Sequence, residues 1–230
     1  MDVRSAFGVA FFFTLLFQAP TADAQEWKSA YEKDGVQVST RPVEGSKILE
    51  VQGIGVIESS AEQIFAALGD VEAFPEIMPP TESARVLRRE GATAWYYMVI
   101  NPPVVARRDY CVKISLVRLP DGRARSEWNL TDEHCPAKKS TMVRIEANSG
   151  RWVLTPISPT RTHVVYESHT DPAGDVPPWM VNRATSQSVA DIFNALRKAS
   201  AMPRYAECAT TMLRSLNGGP GGIWSCRHGH

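Results

Sequence analysis

Apolar and polar residues alternate along most of the middle of the chain, which is the pattern of strands that bury one face. The run 108–118 is the clearest: Tyr110, Val112, Ile114 and Leu116 share one face, and Asp109, Lys113 and Ser115 share the other. Similar runs occur before and after it, with no helices between them, at residues 83–89, 94–101, 123–131, 141–148, 150–155 and 162–170. We therefore predict an antiparallel meander, preceded by strands at 36–41 and 48–57.

Helical periodicity is strongest near the end of the chain. Within residues 179–200 the apolar positions recur every three or four residues, at Val181, Thr185, Val189, Ile192, Phe193 and Leu196. Pro177 and Pro178 fit the start of this helix, and Asp175 is a candidate cap. Two shorter helices are predicted, one at 27–33 and one behind a capping box formed by Ser59 and Glu62.

This order of elements predicts an α+β fold in which a curved antiparallel sheet wraps around the long C-terminal helix. The 230 residues suit one domain, which we place at 25–205, with a flexible tail at 206–230. Residues 1–24 are typical of a signal peptide, because Arg4 precedes a short apolar run and a small-residue cleavage site ends at Ala24. We expect export and a periplasmic or secreted location, with an uncleaved anchor as the alternative.

Export changes the interpretation of the cysteines, since an oxidising compartment favours disulfides. Folding of the strands about the turn at 120–122 brings Cys111 close to Cys135, so we predict that bridge and leave Cys208 and Cys226 for the second. The cysteine spacing matches no zinc pattern, and we expect neither a metal nor a cofactor. The 25 basic and 25 acidic residues cancel, so we do not expect a nucleic acid partner, and we expect a monomer.

Several motifs together resemble the START domain, the lipid-transfer module related to steroidogenic acute regulatory protein. They are "RRDY" at 107–110, "VR" at 143–144, "GRWVLTPIS" at 150–158, and "VVYESHTDPAGDVPPWMVN" at 164–182 followed by the helix. The opening "EKDGVQVSTRPVEGS" at 32–46 is also similar to the first strands of that family. The resemblance covers residues 27–204 in the family's order.

The resemblance implies a helix-grip fold that encloses a cavity for one lipid, sterol or similar hydrophobic molecule. Such a protein is a carrier or a sensor rather than an enzyme, and transient membrane contact is possible. We expect the cavity to be lined by residues from the strands and the helix, namely Tyr97, Tyr110, Val112, Ile114, Trp128, Val189, Phe193 and Leu196. The alternative is that these side chains meet in a solid core.

Arg108 is the candidate polar residue of the cavity, because START proteins often use a charged side chain to meet a ligand head group. A buried arginine needs a partner. Asp109, Glu127 and Glu146 are candidates, and a purely structural ion pair between Arg108 and Asp109 is the alternative.

An enzyme of the cyclase or hydrolase type, acting on a hydrophobic substrate in the same cavity, is the second hypothesis. No hydrolase elbow, HExxH motif or phosphate loop supports it. His163, Glu167 and His169 share one face of the last strand, but a solvated strand face explains them better. His228 and His230 in the tail indicate at most weak metal binding.

The segment 171–179 joins the last strand to the long helix. Gly174 allows the chain to reverse, and the two prolines that follow fix where the helix begins. We predict that Gly174 is a hinge at which a gate over the cavity moves.

Overall fold

The structure, a computed structural model, describes residues 26–102 and 105–216. In these two stretches the strands are β1 (Lys28–Lys33), β2 (Val36–Arg41), β3 (Glu50–Ile57), β4 (Thr81–Glu90), β5 (Thr93–Ile100), β6 (Arg108–Arg118), β7 (Ala124–Leu130), β8 (Val143–Arg144), β9 (Ala147–Ser158) and β10 (Arg161–Asp171). The helices are α1 (Ala61–Gly69), α2 (Phe74–Ile77), α3 (Pro178–Ser200) and α4 (Pro203–Leu216), with a 3₁₀ turn at Val71–Ala73.

The strands form one curved sheet in the order β1-β2-β3-β10-β9-β7-β6-β5-β4, with every neighbouring pair antiparallel. The short strand β8 lies outside this path and pairs in parallel with the start of β6. Helix α3 packs on β2 and β3, and α1 packs on α3 and α4. The expected α+β helix-grip fold is confirmed.

Close contact between α3 and the sheet depends on Gly53 in β3. A Cβ atom at this position would lie 2.5 Å from Cγ1 of Val189 and 2.8 Å from Cε2 of Phe193. Both distances are shorter than any normal contact, so only glycine lets the helix approach this strand.

Two predicted elements differ at the N-terminal end. Residues 28–33 form strand β1 rather than a helix, because Asp34 and Gly35 both have positive φ and make the tight turn of a hairpin with β2. The capping box of α1 is formed by Ser60 and Gln63, one residue later than predicted.

Differences also occur toward the C-terminal end. The predicted strands 141–148 and 150–155 are instead the short β8 and one long strand, β9. Asp175 does not cap α3, whose N-cap position is Pro177 without a side-chain hydrogen bond. The segment expected to be a flexible tail begins with α4, in which Tyr205 and Cys208 are buried. The rest of the tail, including His228 and His230, lies outside the described residues.

The predicted bridge between Cys111 and Cys135 is present. It ties the outer face of β6 to the segment 131–142, which covers that face. Cys226, the predicted partner of Cys208, lies outside the described residues, and so does the predicted signal peptide. No helix in the described ranges is long and apolar enough to cross a membrane.

Candidate functional site

A cavity of about 700 Å³ lies between α3 and the inner face of the sheet. Its walls come from β5, β6, β7, β9 and β10, and from the loop after α2. It opens to solvent beside α3. The exposed lining residues that mark this opening are Pro79, Pro80, Met180, Ala184 and Gln187. This volume is within the usual range for a site that holds one small organic ligand.

Strand β6 supplies much of one wall. Its alternation points even-numbered residues inward, so that Arg108, Tyr110, Val112 and Ile114 line the cavity. Trp128 joins them from β7, where it lies opposite Ile114. These five residues were all predicted to line the cavity, and ligand binding by them remains a prediction.

The structure places Tyr97 on the other side of the sheet. It lies in a small second cluster with Val99 and Cys111, which the segment 131–142 covers. Its hydroxyl donates a hydrogen bond of 2.9 Å to Asp109. Because β5 is buried on both faces, its sequence has no alternation that could have shown which side chains point inward. The residues of β5 that line the cavity are Met98 and Ile100.

Helix α3 contributes a different face from the one predicted. Val189 and Phe193 lie against β3 at Gly53, and Leu196 is buried in the core, so these three residues do not line the cavity. The lining face of the helix is offset around its axis and includes Val181, Thr185, Ser188 and Ile192. The predicted stripe combined two adjacent faces, one for the core and one for the cavity.

Aromatic side chains form part of the wall opposite the helix. The ring centroids of Trp152 and Tyr166 are 4.4 Å apart, and those of Trp128 and Tyr166 are 6.0 Å apart. Trp152 and Tyr166 were not predicted. Side chains alternate between the two faces of β10, which places Tyr166 on the face opposite His163, Glu167 and His169. The sequence was therefore sufficient to identify Tyr166 as a candidate lining residue.

One end of the cavity is polar. Arg108 is 2% exposed and donates to the backbone carbonyl groups of Pro172 at 3.1 Å, Ala173 at 3.4 Å and Ala106. Burial lowers the pKa of its guanidinium group, although arginine stays protonated at neutral pH. Asn148, Ser168 and Thr170 also line the cavity. The Nε1 atom of Trp128 donates to the Asn148 side chain at 2.8 Å.

None of the predicted partners of Arg108 pairs with it among the described residues. Asp109 points to the opposite face of β6, where Arg144 binds both of its carboxylate oxygens at 2.8 and 2.9 Å. Glu127 pairs with Arg125 instead. The hypothesis of an ion pair between Arg108 and Asp109 is therefore wrong, because adjacent residues in a strand face opposite sides.

The two phenols of the cavity are poor general bases. Burial raises the pKa of Tyr110 and of Tyr166, so both hydroxyls stay protonated at neutral pH. Charged residues lining the described part of the cavity are Arg108 and Asp191, and Asp191 is exposed and pairs with Lys33 at 3.2 Å.

The histidine group considered as a metal or acid–base site lies on the outer face of the sheet. Glu167 bonds Arg151 at 2.6 Å and Gln52 at 2.9 Å, and His169 bonds Ser46 at 3.1 Å. Within the described ranges, no group of histidine, cysteine and acidic residues could hold a metal ion.

The turn before α3 is held against the polar end of the cavity. Ala173 and Gly174 both have positive φ, and the Asp171 side chain accepts a hydrogen bond of 2.9 Å from the Ala173 amide. A Cβ atom on Gly174 would lie 3.7 Å from Val143. The turn therefore contacts β8 on one side and supplies carbonyl groups to Arg108 on the other.

Comparisons with known proteins agree with this geometry. The family model described as "Polyketide cyclase / dehydrase and lipid transport" matches residues 57–204. An uncharacterised protein of Pseudomonas aeruginosa is 29% identical over 183 residues, which cover 79% of this chain and 90% of that protein.

Solved structures show the same architecture. The STAR-related lipid transfer protein from Xanthomonas axonopodis is 25% identical, with a TM-score of 0.70 and coverage of 76% of this chain and 99% of that one. Human StAR-related lipid transfer protein 5 is 22% identical, with a TM-score of 0.71 and coverage of 78% and 88%. The chain belongs to the polyketide cyclase/dehydrase and lipid transport family, and its fold is that of START-related lipid transfer domains.

Proposed function

We propose that this protein binds a single lipid or sterol-like molecule in the cavity under α3 and carries it or senses it. The observation that carries this proposal is the cavity itself, about 700 Å³ in volume and walled largely by apolar and aromatic side chains. A solid core was the alternative expected from sequence, and a space of this size favours a ligand.

Burial of apolar ligand surface would supply most of the affinity, at about 25 cal/mol per Å² removed from water. The START-related fold supports the same function, since the similar proteins from Xanthomonas axonopodis and human are described as lipid transfer proteins.

An enzyme of the cyclase or hydrolase type is the second candidate, because the description of the family covers cyclases as well as lipid transport. The chemistry of the cavity favours the carrier. The buried phenols are protonated, and the acidic residue of the described lining, Asp191, is exposed and paired with a lysine.

We also propose that the protein works outside the cytoplasm. Residues 1–24 would be removed as a signal peptide, and 25–205 would form the lipid-binding domain, with α4 packed on it. The bridge between Cys111 and Cys135 supports an oxidising compartment, in which a carrier would shield a hydrophobic molecule during transit through water.

Purification from the native host, organic extraction and mass spectrometry test the proposal. We expect one co-purifying hydrophobic molecule per chain, and reloading of the emptied protein with that molecule. If no amphiphile co-purifies and none can be loaded, the carrier function is wrong. Chemical conversion of the extracted molecule by the purified protein would favour the enzyme instead.

A further inference from the structure

Three neighbouring strands build an aromatic patch on the inner face of the sheet. Trp128 comes from β7, Trp152 from β9 and Tyr166 from β10, and all three side chains line the cavity. Tyr166 is directly opposite Trp152 in the sheet, and Trp128 is opposite Gly150, two residues before Trp152. The register of these strands therefore gathers three rings, which we call the aromatic wall.

Glycine at position 150 gives the indole of Trp128 its place in this wall. A Cβ atom on Gly150 would collide with the Cζ2 and Cη2 atoms of Trp128, and with the carbonyl oxygen of Glu167. Glycine inside a strand is destabilising, because it loses more conformational freedom on folding than other residues. It often marks a point of close approach. The indole is thus seated against β9, where another residue would leave it no room.

Hydrogen bonds and ring contacts fix the position of the aromatic wall. The Nε1 atom of Trp128 donates to the Asn148 side chain at 2.8 Å. The planes of Trp128 and Tyr166 are 23° apart, and Trp152 contacts Tyr166 with a centroid distance of 4.4 Å. Trp152 also contacts Phe193, which is fully buried, at 5.7 Å. Because the rings are already in place, a ligand would not have to order them.

Aliphatic side chains line much of the remaining surface. Strands β5 and β6 and helix α3 provide Met98, Ile100, Val112, Ile114, Val181 and Ile192. A hydrocarbon chain can follow such a surface. A conjugated ring gains more against other rings, because aromatic pairs attract each other beyond the effect of the area they bury. The lining therefore distinguishes two parts of a ligand.

We propose, building on the lipid-binding function above, that the ligand carries a planar conjugated ring system as well as an aliphatic part. The ring packs on the aromatic wall, and the aliphatic part lies against β5, β6 and α3. Trp128 is the main contact of the ring, because it is half-buried whereas Trp152 and Tyr166 are buried.

Competition among three alcohols with equal numbers of carbon atoms tests this inference: naphthyl-dodecanol, its fully hydrogenated decalinyl form, and docosanol. Each competes with a fluorescent lipid probe for the emptied protein. Burial of apolar surface alone favours the decalinyl compound, because it is more apolar than the naphthyl compound. We expect the naphthyl compound to bind about threefold to tenfold more tightly than the decalinyl one, as one aromatic contact would give.

Two results are decisive against the inference. If the naphthyl compound binds no better than the decalinyl one, the cavity does not select a conjugated ring, while binding of docosanol would leave the lipid-binding function in place. If none of the three alcohols displaces the probe, the lipid-binding function is wrong together with this inference.

The variant Trp128→Leu locates the preference, because leucine keeps an apolar side chain and removes the ring. We expect the preference for the naphthyl compound to disappear while docosanol still binds, and Trp128→Phe to restore it. Trp27→Leu is the matched control, since Trp27 packs on Arg41 and is not part of the lining. An undiminished preference in Trp128→Leu would overturn the role of the wall. If that variant does not fold, as judged by near-UV circular dichroism, the two ring compounds on the wild-type protein still decide.

Discussion

Arg108 and Asp109 are adjacent in the chain, but they face opposite sides of β6 and have different roles. Arg108 lies on the cavity wall and bonds carbonyl groups. Asp109 is fully buried on the outer side, where Arg144 and Tyr97 bond it. Arg144 also reaches Cys135 and the carbonyl group of Pro136, so this ion pair holds β8 and the covering segment 131–142 onto the sheet.

The variant Asp109→Asn should lose about 3–5 kcal/mol of unfolding free energy, because it leaves the buried charge of Arg144 without its partner. Denaturant unfolding measures the loss. Asp175→Asn, at an exposed turn residue, is the control and should unfold like the wild type. Equal stability of the two variants would contradict the role given to the ion pair.

The same carboxylate should make stability depend on acidity. Burial alone raises the pKa of Asp109, but hydrogen bonds from Arg144 and Tyr97 outweigh it and hold the pKa below the usual 3.8. A carboxylate whose pKa is lower in the folded state stabilises the fold at pH values above its unfolded-state pKa. This stabilisation is lost as the carboxylate is protonated. The unfolding free energy should therefore fall below about pH 4, and fall less steeply in Asp109→Asn.

At the scale of elements, sequence predicted best where apolar and polar residues alternate along a strand. The alternation of β6 identified three cavity residues, Tyr110, Val112 and Ile114, and the hairpin of β6 and β7 identified the bridge from Cys111 to Cys135. It failed at β5, because the segment 131–142, which is distant in sequence, covers the face of that strand that points away from the main core. It also failed on α3, since periodicity shows which residues are buried but not whether they meet β3 or a cavity.

Replacement of Cys111 and Cys135 by serine should reduce the unfolding free energy by about 2–4 kcal/mol, because it releases a loop with a sequence separation of 24 residues. Affinity for the ligand should change little, since the bridge lies on the outer face of the sheet. Denaturant unfolding and a lipid-binding assay on the same preparation measure both quantities. A large loss of affinity at unchanged stability would show that the covering segment shapes the cavity.

Gly174 allows a test of gating at the turn before α3. Valine there meets a positive φ of 73° and the side chain of Val143, so we expect slower exchange of a fluorescent lipid in stopped-flow measurements. Gly91→Val is the matched control, because Gly91 also has a positive φ but has open space around its Cβ position. Equal exchange rates in the two variants would remove Gly174 as a hinge.

At the scale of the whole molecule, the cavity results from the position of α3 over a curved sheet. Gly53 brings the helix close to β3, while on the other side α3 and β6 remain apart and the space between them is not filled. Sequence could predict that a sheet wraps this helix, and the family resemblance implied a cavity. Arg108 was expected as the polar residue of the cavity, but its partners could not be predicted, because they are carbonyl groups of a turn 64 residues later in the chain.

If this space exists to hold a ligand, filling it should abolish binding without harming the fold. The double variant Thr185→Trp with Ser188→Phe places large side chains on the cavity face of α3. We expect a melting temperature equal to that of the wild type or higher, because added apolar surface is buried in an existing space.

Lipid at about a hundred times its Kd should stabilise the wild type by about 2.7 kcal/mol and leave the filled variant unchanged. Arg183→Trp, at an exposed position outside the lining, should respond like the wild type. Full stabilisation of the filled variant by lipid would place the ligand elsewhere on the protein.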